Sequence, residues 1–146
     1  MAAVELRPGP GRPRLARPAD RGAAVPVAEP VLHPGGMRTV LVDAENVRRS
    51  VWPNIAPGAL AELAAAWGRR RGARVVAVYD GPAPAGAEGA EGTEGSGADD
   101  RIVELAAAAD GPVWVVTSDR ELRARVAGRA ERVLGGGTFA RELLRL

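Results

Sequence analysis

The feature that most constrains this chain is a series of short apolar runs, rich in β-branched residues, that end in acids and alternate with helical patterns. Thr39 to Val42 end at Asp43, Arg74 to Tyr79 end at Asp80, and Val113 to Thr117 are followed at once by Ser118 and Asp119. Consecutive apolar positions, rather than alternating ones, suit strands buried on both faces, as in a parallel sheet. Val133 and Leu134, closed by the glycines Gly135 to Gly137, fit a weaker fourth strand. Between these runs the period lengthens. Pro57 suits a first helical turn, and Leu60, Leu63, Ala64 and Trp67 then fall on one face. Ile102, Val103, Leu105, Ala106 and Ala109 trace a second stripe after Asp99. Ser118 and Glu121 have the spacing of a capping box, which predicts a helix with Leu122 and Val126 inward. Thr138 suits the cap of a last helix carrying Phe139, Leu143 and Leu144. Such alternation predicts an α/β fold with a small parallel sheet of about four strands, covered by helices on both faces.

A chain of 146 residues has room for one such core. Residues 1–36 are rich in Pro, Gly, Ala and Arg without any sustained period, so we expect a disordered leader followed by a domain over residues 37–146. Residues 81–97, built of Gly, Ala and Glu with two prolines, interrupt the alternation and are expected to form a flexible loop. The beginning lacks the apolar run of a signal peptide or membrane helix, which predicts a soluble, cytoplasmic protein with no membrane partner. The pI of about 10.3 arises because every basic side chain is Arg. Up to Arg38 there are six Arg against three acids, and from Thr39 onward fourteen Arg against fifteen acids, so global charge says little about a nucleic-acid partner.

The aspartates say more. In an open parallel sheet the functional crevice lies outside the carboxyl ends of the strands, so Asp43, Asp80 and Asp119, with Asp99 and Asp100 at a helix start, are brought to one edge. Crowded carboxylates repel, and a bound cation is the simplest remedy. With no cysteine, and His33 in the leader, the ligands would be oxygens, which favours Mg²⁺ or Mn²⁺. Metal-assisted phosphodiester hydrolysis uses such a pocket without a nucleophilic side chain. Each acid also has a plainer explanation: Asp99, Asp100 and Asp119 as helix-start residues, Asp43 and Asp80 as strand-end turns.

Val42-Asp43-Ala44-Glu45-Asn46-Val47, Val78-Tyr79-Asp80-Gly81, Gly97-Ala98-Asp99-Asp100-Arg101-Ile102 and Val116-Thr117-Ser118-Asp119-Arg120, in this order, resemble the motif series of the NYN domain. The similarity is to its YacP-like branch of PIN-like ribonucleases, and Gly137 to Leu143 resemble that family's end. The resemblance implies a PIN-like three-layer α/β/α fold and metal-dependent RNA cleavage with Mg²⁺ or Mn²⁺. It further implies Asp43, Asp99, Asp100 and Asp119 as catalytic, metal-binding acids, with Asp80 more peripheral. Asn46 would orient Asp43 or a metal-bound water, and Thr117 and Ser118 would support the shell by hydroxyl hydrogen bonds. Two features depart from the family: Ala44-Glu45 stand where Gly-Tyr is usual, and the strand common before the Ala-Asp-Asp motif is replaced by the Gly/Glu-rich segment.

Arg48, Arg49 and Trp52 follow the first acidic motif, and Arg120, Arg123 and Arg125 follow the last. They are candidates to receive RNA phosphates, with Trp52 stacking on a base; the plainer alternative is a solvated face with Trp52 half buried. Arg69 to Arg71 suit the end of a helix, and Trp67 and Trp114 fall on core stripes. Gly135 to Gly137 are read as a turn, since no Walker lysine accompanies them. A phosphoacceptor module is disfavoured because the chain has no lysine. The main alternative to a nuclease is a catalytically inactive PIN-like module that binds RNA or a protein. The expected partner is RNA, with the ribosome one candidate setting, and the sequence leaves oligomeric state open.

Overall fold

The structure, a computed structural model, describes residues 37–95 and 97–146; the expected leader lies outside the described residues. The elements are β1 (Thr39–Asp43), α1 (Ala44–Arg49), α2 (Pro57–Arg71), β2 (Arg74–Tyr79), β3 (Ala90–Gly92), α3 (Ala98–Ala108), β4 (Val113–Val116), α4 (Arg120–Val126), β5 (Arg132–Leu134) and α5 (Gly136–Leu143). The strands form one five-stranded parallel sheet in the order β3-β2-β1-β4-β5. Chain order therefore reverses direction at β1, the central strand. A crevice opens at such a switch point outside the strand carboxyl ends.

The sheet has five strands rather than the four expected, and the added one is β3. It lies within the segment read as a loop. Ala77 N–H donates to Gly89 O (2.7 Å), Thr93 N–H to Gly81 O (2.8 Å), and Thr93 Oγ1 to Tyr79 O (2.8 Å). Glu91 on β3 pairs with Arg101 on α3. The strand was illegible because Ala90-Glu91-Gly92 has no β-branched residue. Its glycine serves close approach instead: a Cβ on Gly92 would lie 2.7 Å from Ala83 N and 2.8 Å from Gly81 O. The strand that the sequence lacked as a pattern is thus present as a short edge.

Two apolar layers sandwich the sheet. On one face Val40, Val42, Ala77, Tyr79 and Val116 meet α1, α2 and α5 through Val47, Leu60, Trp67, Phe139 and Leu143. On the other, Leu41, Val78, Val113 and Val115 meet α3 and α4 through Ile102, Ala106, Leu122 and Val126. Alternate residues of β1 serve opposite layers, which is why its apolar run is unbroken. Trp67 is buried against Phe139 at a ring-centroid distance of 5.0 Å, as its stripe predicted. Trp114 is only partly buried, stacked between the guanidinium groups of Arg38 and Arg132. Among the described residues no helix is long and apolar enough to cross a membrane.

Local starts differ from expectation at two helices. The cap of α4 is Asp119, whose Oδ1 accepts Leu122 N–H at 3.0 Å, not Ser118. Helix α5 begins at Gly136 with Gly135 as its cap, so Thr138 lies inside the first turn and Leu144 falls past its end, exposed. The short helix α1, directly after Asp43, has no counterpart in the sequence reading. At six residues it offers too few apolar positions to show a period.

Candidate active site at the carboxyl edge of the sheet

The strand ends deliver their polar residues to one open crevice of about 520 Å³, lined by Asp43, Glu45, Asn46, Arg49, Ser50, Asp80, Asp99, Ser118 and Asp119. Asp43 closes the central strand and is only 6% exposed. Its Oδ2 accepts the hydroxyl of fully buried Thr117 at 2.8 Å. This bond fixes the side chain. Burial nevertheless raises its pKa from 3.8 to about 6; the Thr117 bond opposes the rise, and Asp99 and Asp80 add to it.

Asp99 stands in the first turn of α3. Burial raises its pKa, with Asp119 and Asp80 pushing the same way and Arg125 opposing. Asp80 accepts Ala98 N–H through Oδ1 at 3.2 Å, so one carboxylate both lines the crevice and holds the start of α3 beside β2. Asp119 caps α4, and its own N–H donates to Thr117 Oγ1 at 3.1 Å. Thr117 therefore ties Asp43 to Asp119 with one hydroxyl.

Asn46 and Ser118 act at the crevice wall. Asn46 Oδ1 accepts Ser118 N–H (2.9 Å), and Ser118 Oγ accepts Gly136 N–H (2.8 Å), linking α1, the end of β4 and α5. A Cβ at Gly136 would lie 2.2 Å from Asn46 Oδ1, so this position in the glycine run is small for packing. Its amide is used internally. As sequence, the glycine run suggests only a turn; the strand end two residues upstream is the signal for this contact.

The remaining candidates are spread more widely. Asp100 is exposed, pairs with Arg125 at 2.9 Å and lies outside the crevice lining. Arg49 reaches the lining with its side chain 70% exposed. Arg48 faces inward, its Nε donating to Ile55 O (2.7 Å) and its guanidinium pairing with Glu45. Arg123 donates to Thr117 O at 3.1 Å, while Arg120 is exposed at the start of α4. Trp52 is 88% exposed rather than half buried. Glu45, for which the sequence suggested no role, lines the crevice and holds Arg48 and Arg49.

Chemically, the crevice gathers four aspartates with mutual repulsion and one exposed arginine at its rim. Among the described residues no group of three or more acids or histidines is arranged to hold one ion by itself. The donor set is all oxygen, which fits a hard cation that keeps part of its water shell and takes only one or two carboxylates.

No protein-family model matches the sequence, and no curated protein matches it. Among solved structures, a point mutant of Rae1 (YacP) from Bacillus subtilis matches with a TM-score of 0.57 and 28% identity over 75% of this chain and 74% of that chain. A second structure of Rae1 (YacP) from Bacillus subtilis matches with a TM-score of 0.58 and 23% identity over 73% and 74%. The five-stranded parallel sheet, its switch at β1 and the ordered acidic motifs agree with this similarity. This chain is similar to these YacP structures and has a YacP-like, PIN-like α/β fold.

Proposed function

We propose that this chain is a metal-dependent ribonuclease that hydrolyses RNA phosphodiester bonds in the crevice at the carboxyl edge of its sheet. The observation that carries this reading is the convergence of Asp43, Asp80, Asp99 and Asp119 there, with the Asp43 carboxyl pushed up to about 6. Asp43 and Asp99, with Asp119 beside them, would hold Mg²⁺ or Mn²⁺. Asp100 stays outside this set because it is committed to Arg125 beyond the lining. Bound there, such an ion supplies a water of lowered pKa and offsets charge on the scissile phosphate.

The protein's own residues do the rest. Thr117 keeps the Asp43 carboxylate in one orientation, so little reorganisation is needed when an ion arrives. Asp119 is held by its cap bond, and Asn46 locks the wall between α1 and β4. Arg49 offers a guanidinium to phosphate at the rim, and Arg120 adds positive charge at the start of α4.

The absence, among the described residues, of a ready three-acid cage favours one alternative, a PIN-like module that binds RNA without cutting it. Calorimetric titration of Mn²⁺ at pH 7.5 separates the two. The nuclease reading expects a site that weakens below about pH 6, as Asp43 takes up its proton, and that is lost in Asp43→Asn. Equal Mn²⁺ binding by wild type and Asp43→Asn would overturn the assignment of the ion to this crevice.

A further inference from the structure

We propose that Trp52 is a stacking platform for an unpaired RNA base one or two nucleotides from the scissile phosphate, which makes single-stranded RNA the preferred substrate. This rests on the ribonuclease reading of the neighbouring crevice. The loop after α1 leaves the crevice wall at Arg49 and Ser50, and Trp52 is the second residue beyond Ser50. Two residues of chain span at most ~7 Å, comparable with two steps of a stacked nucleotide strand.

The exposure of Trp52 is imposed by the loop. Ser50 N–H and Oγ both donate to Val47 O (3.2 and 2.6 Å), Ile55 N–H donates to Arg48 O (3.1 Å), and Arg48 Nε returns to Ile55 O (2.7 Å). Val51 is partly buried against the core and Ile55 is buried, so the loop is anchored on both sides of its tip. Between these anchors an indole, the largest kind of side chain, is left 88% exposed. The other tryptophans show how this protein covers an indole. Trp67 donates Nε1–H to Glu142, meets Phe139 edge to face and has the Arg71 guanidinium over its ring; Trp114 donates to Glu131 and has the guanidinium groups of Arg38 and Arg132 over its ring. Those ring contacts do not include Trp52.

An exposed indole face accepts any base, and stacking needs that base out of a duplex. Arg49, three residues upstream and tethered to Glu45 at 3.6 Å, is placed to meet a phosphate between the stacked base and the acids. Glu45 thereby gains a role that fits its position where the family has a different pair. It holds both arginines of α1, one into the loop and one toward the rim.

The test is binding, measured in EDTA so that no cleavage is needed. Fluorescein-labelled ten-nucleotide single-stranded RNA and the matching blunt duplex are titrated with wild type, Trp52→Ala and Trp52→Phe, followed by anisotropy. Trp52→Ala should weaken single-strand binding on the order of ten-fold, Trp52→Phe should restore most of it, and the duplex should bind more weakly and without regard to residue 52. Single-stranded RNA should also quench the indole emission of wild type, and that component should vanish in Trp52→Phe. Wild-type affinity in Trp52→Ala, or duplex bound as tightly as single strand, overturns the inference. Residue-52-dependent binding by a protein that never cleaves with Mn²⁺ would instead remove the nuclease reading and leave the platform standing.

Discussion

Replacing Asp43 by Asn keeps the shape of a nearly buried side chain and removes a charge that the metal-free protein holds at a cost. The folded-state pKa of Asp43 is raised from 3.8 to about 6, chiefly by burial. Between these values the native state binds more protons than the unfolded chain, so stability falls as pH rises through the interval and stays reduced above it. At about 1.4 kcal/mol for each tenfold change in the ionisation constant, the penalty at neutral pH is on the order of 3 kcal/mol. Asn lacks the charge, and its Oδ1 can still accept the Thr117 hydroxyl. Asp43→Asn should therefore stabilise the protein in EDTA at pH 7.5 by about 1 to 3 kcal/mol, while at pH 3.5 the two proteins should match. Excess Mg²⁺ should reverse the order at pH 7.5, because a bound ion stabilises only the protein that can hold it. Urea melts at both pH values, with EDTA and with Mg²⁺, measure all four differences. Destabilisation by Asn in EDTA at pH 7.5, or an equal difference at both pH values, would refute the argument that the carboxylate is a buried, uncompensated charge.

Two further substitutions separate structure from chemistry at the same edge. Asp119→Ala removes the α4 cap and should cost roughly 0.5 to 2 kcal/mol, whereas Asp119→Asn keeps an acceptor for Leu122 N–H and should be near neutral in stability; both should lose most RNA cleavage. Melting curves beside a cleavage assay check this pair. Gly136→Ala should destabilise by about 1 to 3 kcal/mol, because its Cβ displaces Asn46 and breaks the bond to Ser118 N–H. A melt indistinguishable from wild type would show that α5 shifts at no cost.

Much of the fold was legible because the strands β1, β2 and β4 are continuous apolar runs whose ends are marked by Asp43, Asp80 and Thr117-Ser118-Asp119. What stayed hidden had no local signal. Strand β3 is recruited by backbone bonds to β2 and by the close approach of Gly92, not by side-chain preference. Helix α1 is too short to show a period, and the cap of α4 falls to Asp119 because Ser118 is drawn to Gly136. At the site, sequence position alone could not distinguish neighbours on one helix. Asp99 turns into the crevice and Asp100, one residue on, turns out to Arg125. Likewise Arg48 and Arg49 diverge, one into the loop and one to the rim.

Whether this acidic crevice cuts RNA with the help of a divalent cation is decided by one assay. Purified wild type and Asp43→Asn are incubated with mixed single-stranded RNA in Mn²⁺, in Mg²⁺ and in EDTA, and the products are resolved on a gel. Wild type should give fragments with either ion and none in EDTA, and Asp43→Asn should lose at least about a hundredfold of the cleavage rate. Intact RNA under every condition, or cleavage by Asp43→Asn at the wild-type rate, would contradict the ribonuclease reading.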